Sequence, residues 1–436
     1  APVSDIQNEI PVTGTFTGNN NSSCTGCGGS STQSMFSYNE AASGTQDVGY
    51  VNFPSSSNTE TFQEGVGYTI YVRGNILSSA LWDLSGVVNQ GSATIPVSFT
   101  STGSLANDGW NMVGNPYPST IDWNASSGWT KAGLDGSIYI RDNGQTTPVF
   151  ATWNGTTGTN GGSQYISTGQ GFWVKAISTP TLIATENVKV AGTQTTFIRQ
   201  ASPQNILRIT MKNSVNRDET VIHLRTDATE AFDSRVDAWK LTNATFNLSS
   251  VLSDGTKLAI NSLPLVSCPR SVRLDVTSST GTYKLEFSQF DSFAADVTLT
   301  LTDNFLNKSI DMRTAGSYDF QVTSDSKSYG SNRFVVSFGC IANVPSVVTG
   351  IDDEPSILTV YPNPTNGQLY VEFPSAYNVR SVKMFSNFGV ELGEVLLNED
   401  NGTKKGTFDM SSLSSGLYFV RAYHAGKILN IKVSKE

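Results

Sequence analysis

Histidine is nearly missing from this chain. Its 436 residues hold two, His223 and His424. A Ser-His-Asp or Cys-His arrangement outside the C-terminal segment would have to use His223, which sits in an apolar run after Val221-Ile222 with no nucleophile motif beside it. No G-x-S-x-G, P-loop, H-E-x-x-H or G-x-G-x-x-G falls where its structural context requires it. The expectation is therefore no enzyme. A glycosidase acting through a carboxylate pair is the one class left open, because its two acids can lie anywhere in the chain.

Charge is scarce too, 15% of residues against about a quarter in an average soluble domain. The formal net charge is −9, and there is no long basic run, so the field repels nucleic acid and anionic membrane surfaces. No stretch approaches the ~20 consecutive apolar residues that a membrane-spanning helix needs. A sustained apolar period of 3.6, the mark of a core helix, is also missing.

Gly, Ser, Thr and Asn fill the space that charge leaves, with Val, Ile, Phe and Tyr in short runs between them. That mixture predicts an all-β chain, long enough for about three domains at ~150 residues each. Residues 1–200 are the part richest in Gly, Asn and Trp, with strands expected near 68–72, 95–99, 137–140 and 171–175. Residues 201–342 read as a second β domain opening on a hairpin, 206–211 with 219–224, followed by strands near 271–276, 282–287, 297–301, 317–322 and 333–338. Residues 343–355 hold two prolines, a glycine and the run Asp352-Asp353-Glu354, which reads as an exposed linker. Residues 356–436 form a small third domain whose closing residues Leu429, Ile431 and Val433 alternate with Asn430 and Lys432. The fold class predicted is a tandem of antiparallel β-sandwich domains, of jelly-roll or Ig-like type, ending in a small Ig-like one.

Five of the seven tryptophans fall between Trp110 and Trp173. Trp110, Trp123 and Trp173 are expected in the core of a thin sandwich. Trp129 and Trp153 look more loop-like and could stack on sugar rings, with Asn115, Asp122 and Asn124 supplying hydrogen bonds. Asp227, Glu230, Asp233 and Asp237 form an acidic cluster with oxygens able to ligate Ca2+, although Asp227-Ala-Thr-Glu230 is also a capping-box pattern for one helical turn. No other cofactor is suggested. The four cysteines fall as Cys24/Cys27 and Cys268/Cys340. In an exported β-rich chain an even count suggests disulfides, with local pairing the simplest connectivity. A Cys268–Cys340 bridge would close a loop of roughly 70 residues, worth about 4 kcal/mol on the loop-entropy account. A redox or zinc reading of Cys24-Thr25-Gly26-Cys27 lacks a strand–helix frame and a second ligand pair.

The last domain carries Tyr361-Pro362-Asn363-Pro364 leading into Leu369-Tyr370-Val371. Further on come Leu413-Ser414-Ser415-Gly416-Leu417-Tyr418-Phe419-Val420-Arg421, then Gly426-Lys427 and the closing Ile431-Lys432-Val433. In this order, up to the terminus, these motifs resemble the type A C-terminal sorting domain of the type IX (Por) secretion system of Bacteroidota. The resemblance covers residues 356–436, about a fifth of the chain. It implies export across the outer membrane with the translocon, shuttle and sortase-like components as partners, and a cut within 347–354. Attachment to surface lipopolysaccharide or release would follow, and an original N-terminal signal peptide is implied as well. The sorting signal would lie in Tyr361, Pro362, Asn363, Pro364, Gly416, Leu417, Tyr418, Gly426, Lys432 and Val433.

Residues 1–345 are similar to a region recurring upstream of such domains. The carriers are Gly109 to Pro118 with Ile121-Asp122-Trp123, Gly169 to Val174, Asp218 to Ile222, Asp227 to Asp233, and Asn332-Arg333-Phe334. That likeness says nothing of activity. The functional expectation is a secreted or surface protein of stalk or adhesin type, the alternative being a carbohydrate-binding module with glycans as partners.

Overall fold

The computed structural model describes residues 1–7, 9–20, 31–72, 86–190, 204–265, 270–294, 297–340, 358–375, 379, 381–386, 391–400, 402–424 and 427–436, with the backbone alone at 340, 391, 423–424 and 427–430. The protein is all-β, and its helical elements are single turns such as Val3–Ile6 and Met312–Ala315. Two compact units divide it, one of residues 1–295 and 299–338, the other of 296–298 and 339–436.

In the larger unit the 14-residue strand Gly171–Ala184 organises the N-terminal sheets. Its first half pairs antiparallel with Trp110–Gly114, from Gly171↔Gly114 to Lys175↔Trp110. Past a register shift between Ala176 and Thr181, its second half pairs with Trp129–Leu134, and its end with Ala93–Ile95. Side chains alternate across a strand, and here the alternation feeds two different cores. Phe172 and Val174 join Val113, Ile121, Trp123 and Ile166 in one. Trp173 points the other way, into a cluster with Trp110, Tyr139 and Phe150. Phe172 to Ala176 are buried on both faces, so this part does not alternate, whereas Ile177 to Thr179 and Thr181 are exposed.

The second cluster also contains Ile206, Val221, Ala238, Trp239 and Ile260, so the segments 1–200 and 201–342 share a buried core. The later segment forms an 11-stranded sheet. Its opening strands form the expected hairpin, Ile206–Lys212 with Arg217–Arg225, paired from Ile206↔His223 to Lys212↔Arg217. Arg217–Arg225 pairs parallel with Lys257–Pro264 and is buried from Asp218 to Leu224.

The motif acids Asp218 and Glu219 tie the two halves together. Asn160, from the N-terminal half, donates its backbone N–H to Glu219 Oε2 at 2.7 Å and its Nδ2 to Asp218 Oδ1 at 2.9 Å. Lys240 pairs with Asp218, and Arg208 and Arg217 pair with Glu219. Burial pushes the Glu219 carboxyl up, but Arg208, the Asn160 amide and Arg217 outweigh it and hold the group below its ordinary value.

In the smaller unit two four-stranded sheets run 359–361, 368–374, 403–409, 398–400 and 391–396, 381–386, 416–424, 427–435 in spatial order. The strand Gln368–Pro374 alternates cleanly, with Leu369, Val371 and Phe373 fully buried. They meet Val382, Met384, Val420, Ala422 and Val433 in a core that belongs to this unit alone.

Candidate functional site

The predicted sorting residues Tyr361 to Pro364 join an edge strand to the last strand, which carries the predicted Lys432 and Val433. Tyr361 ends the edge strand Thr359–Tyr361, where prolines are tolerated because no ladder donor is lost. Its ring stacks on Tyr370 at 5.7 Å and its hydroxyl donates to Glu372. After Pro362 the Asn363 side chain bonds the last strand like an extra peptide group: Nδ2 donates to the Lys432 carbonyl at 2.7 Å, and Oδ1 accepts from Ser434 N–H at 2.9 Å. Past Pro364 the backbone continues the pairing, with Thr365 N–H to Ser434 O at 2.8 Å and Glu436 N–H to Thr365 O at 3.0 Å. Tyr418 is buried and donates to Ser414 O at 2.6 Å, and Val433 is fully buried, whereas Gly416, Leu417 and Lys432 are exposed. Gly426 lies outside the described residues, as do the linker and the segment 347–354.

Trp129 and Trp153 are strand residues, not loop residues. Trp129 opens Trp129–Leu134 and Trp153 closes Val149–Trp153, both half-buried against the N-terminal core. Trp129 meets Trp123 edge-on at 5.0 Å and donates Nε1–H to Asp122 O at 2.7 Å, while Trp153 donates to Asn124 Oδ1 at 3.2 Å. The polar groups expected to reach a sugar bond their own chain: Asn115 Nδ2 to Ser119 O at 2.8 Å, Asp122 to Asn124 N–H and Gln164, Asn124 Nδ2 to Gly155 O. Trp110, Trp123 and Trp173 are core residues, as expected.

The acidic cluster is taken apart by arginines. Asp227 pairs with Arg225, Glu230 with Arg270 and Asp233 with Arg235, and each of these hydrogen bonds holds its carboxyl below the ordinary range. Asp237 is buried, accepts from Asp233 and Ser262 N–H, and is pushed up to about 7 by burial. Among the described residues no three His, Cys, Asp or Glu gather so as to hold a metal ion, and the residues from 227 on form turns rather than the capped helical turn. The geometry corrects the calcium expectation, because three of the four oxygen sets are neutralised by guanidinium groups. Cys24, Cys27 and Cys268, and the side chain of Cys340, lie outside the described residues.

What the sequence did not single out is a cleft of about 750 Å³ at the seam of the two halves of the larger unit. Its lining includes the apolar rings of Phe150 and Trp239, the polar Asn107 and Thr242, and the charged Asp47 and Arg141. A smaller apolar pocket of about 230 Å³ adjoins it through Trp239. The buried Lys175 closes that pocket, its Nζ between the rings of Trp110 at 4.7 Å and Trp239 at 5.0 Å, donating to the Asp108 carbonyl. Burial lowers the Lys175 ammonium to about 8, although Asp135 and Asp108 pull it back. Across the same seam Trp239 N–H donates to the Tyr139 hydroxyl at 3.0 Å and Ser137 Oγ to Asp237 O at 3.0 Å. The cleft is assembled from residues some 200 positions apart, which no local spacing signals.

A large β unit followed by a small sandwich whose entry strand is clipped to its last strand defines an all-β protein with a separate C-terminal module. Residues 359–436 match the family described as secretion system C-terminal sorting domain, the type IX tail. Residues 11–338, more than half of the chain, match the family described as Domain of unknown function (DUF8693), and the chain belongs to that family. No curated protein matches the chain. The sorting domain makes this a type IX substrate, carried across the outer membrane to the cell surface or the extracellular space by that machinery.

Proposed function

We propose that residues 1–338 work outside the cell as a non-enzymatic binding module of adhesin type, delivered by the sorting domain. In this reading a sortase-like component cuts within 347–354, and the module is left on surface lipopolysaccharide or released. The observation that carries the reading is the seam cleft. Its 750 Å³ falls within the range of about 300–1,000 Å³ usual for small-ligand sites, and such sites favour the junction of two substructures. Among the described residues lining it Asp47 is the one carboxylate, whereas glycoside hydrolysis needs two, about 5–9.5 Å apart. His223 lies in the hairpin strand, pushed down to about 4 by burial and by Arg225, and so stays neutral away from the cleft.

The test is capture of arrayed extracellular polysaccharides and matrix proteins by the full chain, beside an Ala244→Trp variant that fills the cleft from its exposed rim. A ligand held by the wild type, weakened at least tenfold in the variant and recovered intact is the expected result. Shortened ligand after incubation would mark an enzyme. Capture that ignores Ala244→Trp would move the binding surface elsewhere.

A further inference from the structure

We propose that the seam cleft takes an acidic sugar chain, a uronate-containing oligosaccharide, with Arg141 as the group that recognises its carboxylate. The inference rests on the binding reading above and names its ligand class.

The chain as a whole is acidic, with a net charge of −9, yet three of the cleft's lining residues are cationic against one acid. Two of those cations are already committed. Lys240 pairs with the buried Asp218, and Lys257 pairs with Asp275 at 2.8 Å. Arg141 differs. It is exposed, its Nε donates to Asn143 Oδ1 at 3.3 Å, it meets the Tyr50 phenol, and no ion pair engages it among the described residues. Two neutral partners therefore orient the guanidinium and leave donors over. A planar fork with spare N–H groups is the side chain best matched to a carboxylate, which it binds through two parallel hydrogen bonds.

The rest of the cleft fits a sugar. Phe150 and Trp239 are of the type that packs on the C–H faces of a ring. The neutral polar lining residues, Gln46, Asn107 and Thr242, can each give or accept a hydrogen bond, which suits a ligand covered in hydroxyls.

Calorimetric titration of the full chain with trigalacturonate, cellotriose and triglutamate decides the matter, using wild type, Arg141→Gln, Arg141→Lys and Ala244→Trp. The expected result is binding of trigalacturonate that weakens at least tenfold in Arg141→Gln, is partly restored in Arg141→Lys, is lost in Ala244→Trp, and fades with added salt. Melting midpoints of the Arg141 variants should match wild type, because the side chain is exposed. Equal binding of cellotriose would overturn the acid preference, and tighter binding of triglutamate would make the ligand a peptide. Trigalacturonate binding indifferent to Arg141→Gln would overturn the role of Arg141. If none of the three probes binds while a ligand captured in the wider screen still responds to Ala244→Trp, this proposal falls and the binding module stands. If that screen also shows no response, both fall.

Discussion

Arg333 and Asp303 are each about as buried as any residue in the protein, both 1% exposed, and they face one another with Nη2 to Oδ2 at 2.9 Å. Asp303 also accepts from the Tyr318 hydroxyl at 3.1 Å and from the backbone N–H groups of Phe305 and Leu306, while Arg333 gives its remaining donors to the carbonyls of Gln321 and Ser328. The rings of Phe320 and Phe334 flank the guanidinium at 4.9 and 4.7 Å. Arg333→Ala would strand the Asp303 charge, and removal of one partner of such a pair typically costs about 3–5 kcal/mol. Urea unfolding of the variant should show that loss, and replacing both residues by apolar ones of similar volume should recover much of it. Asn332-Arg333-Phe334 was legible as a pattern, but its meaning, a buried ion pair in an aromatic slot, depends on partners from distant strands. A second pair of acids gives a pH dependence. Burial raises Asp135 and Asp237 to about 7, and Asp135 Oδ2 is buried without a partner. Folded pKa values above the unfolded ones mean that between about pH 4 and 7 the native state keeps protons the unfolded state has released, so stability falls as pH rises through that window. Glu219, Asp227 and Asp233 are held low and act oppositely, losing stability as pH drops through the range below about 4. His223, pushed down to about 4, opposes Asp135 and Asp237 below its ordinary value. The melting midpoint should therefore rise on acidification from pH 8 to about 5, less steeply than the two carboxyls alone would give, and fall below about 4. Asp135→Asn should flatten the upper limb, and an unchanged slope in that variant would refute the assignment.

At the scale of elements, the sorting domain's terminal strand is held partly by a side chain. Asn363 contributes one donor and one acceptor to Gly416–His424's outer neighbour, the strand Lys427–Lys435, before Thr365 resumes backbone pairing with Lys435. Asn363→Ala removes both bonds, each worth about 1 kcal/mol net. The amide of Ser434 should then exchange with solvent at least tenfold faster, while Asn363→Asp, which keeps the acceptor, should protect it in part. Unaltered exchange in Asn363→Ala would show that the clip adds nothing. Strands of this domain were easy to read because each has one wet face: Leu369, Val371 and Phe373 alternate with exposed neighbours. Asn247–Val251 and Lys257–Pro264 escaped reading for the opposite reason. They are buried almost throughout and carry Ser and Asn inside, so neither alternation nor hydrophobicity marks them. Trp129 and Trp153 misled because the surrounding Gly, Ser and Asn suggested loops, whereas their indole N–H groups anchor strand ends to the 122–124 turn.

The whole molecule separates delivery from work. The sorting domain closes its own core around Leu369, Val371, Phe373 and Val433, and the larger unit closes others around Phe172 and Trp239. Among the described residues these clusters share no member, so each unit should keep its fold when the chain is shortened between them. Deleting residues 356–436 should accordingly leave a folded 1–355 chain trapped in the periplasm. Its tryptophan fluorescence should be unchanged, because all seven tryptophans lie before residue 240, and its melting midpoint should match that of the larger unit in the full chain. Fractionation of cells expressing the full and shortened chains measures the delivery half of the claim. Protease resistance of the periplasmic product measures the folding half. Normal appearance of the shortened chain at the surface would sink the export role of the last domain. A degraded product would show instead that the larger unit depends on the sorting domain for stability, contrary to the separate cores.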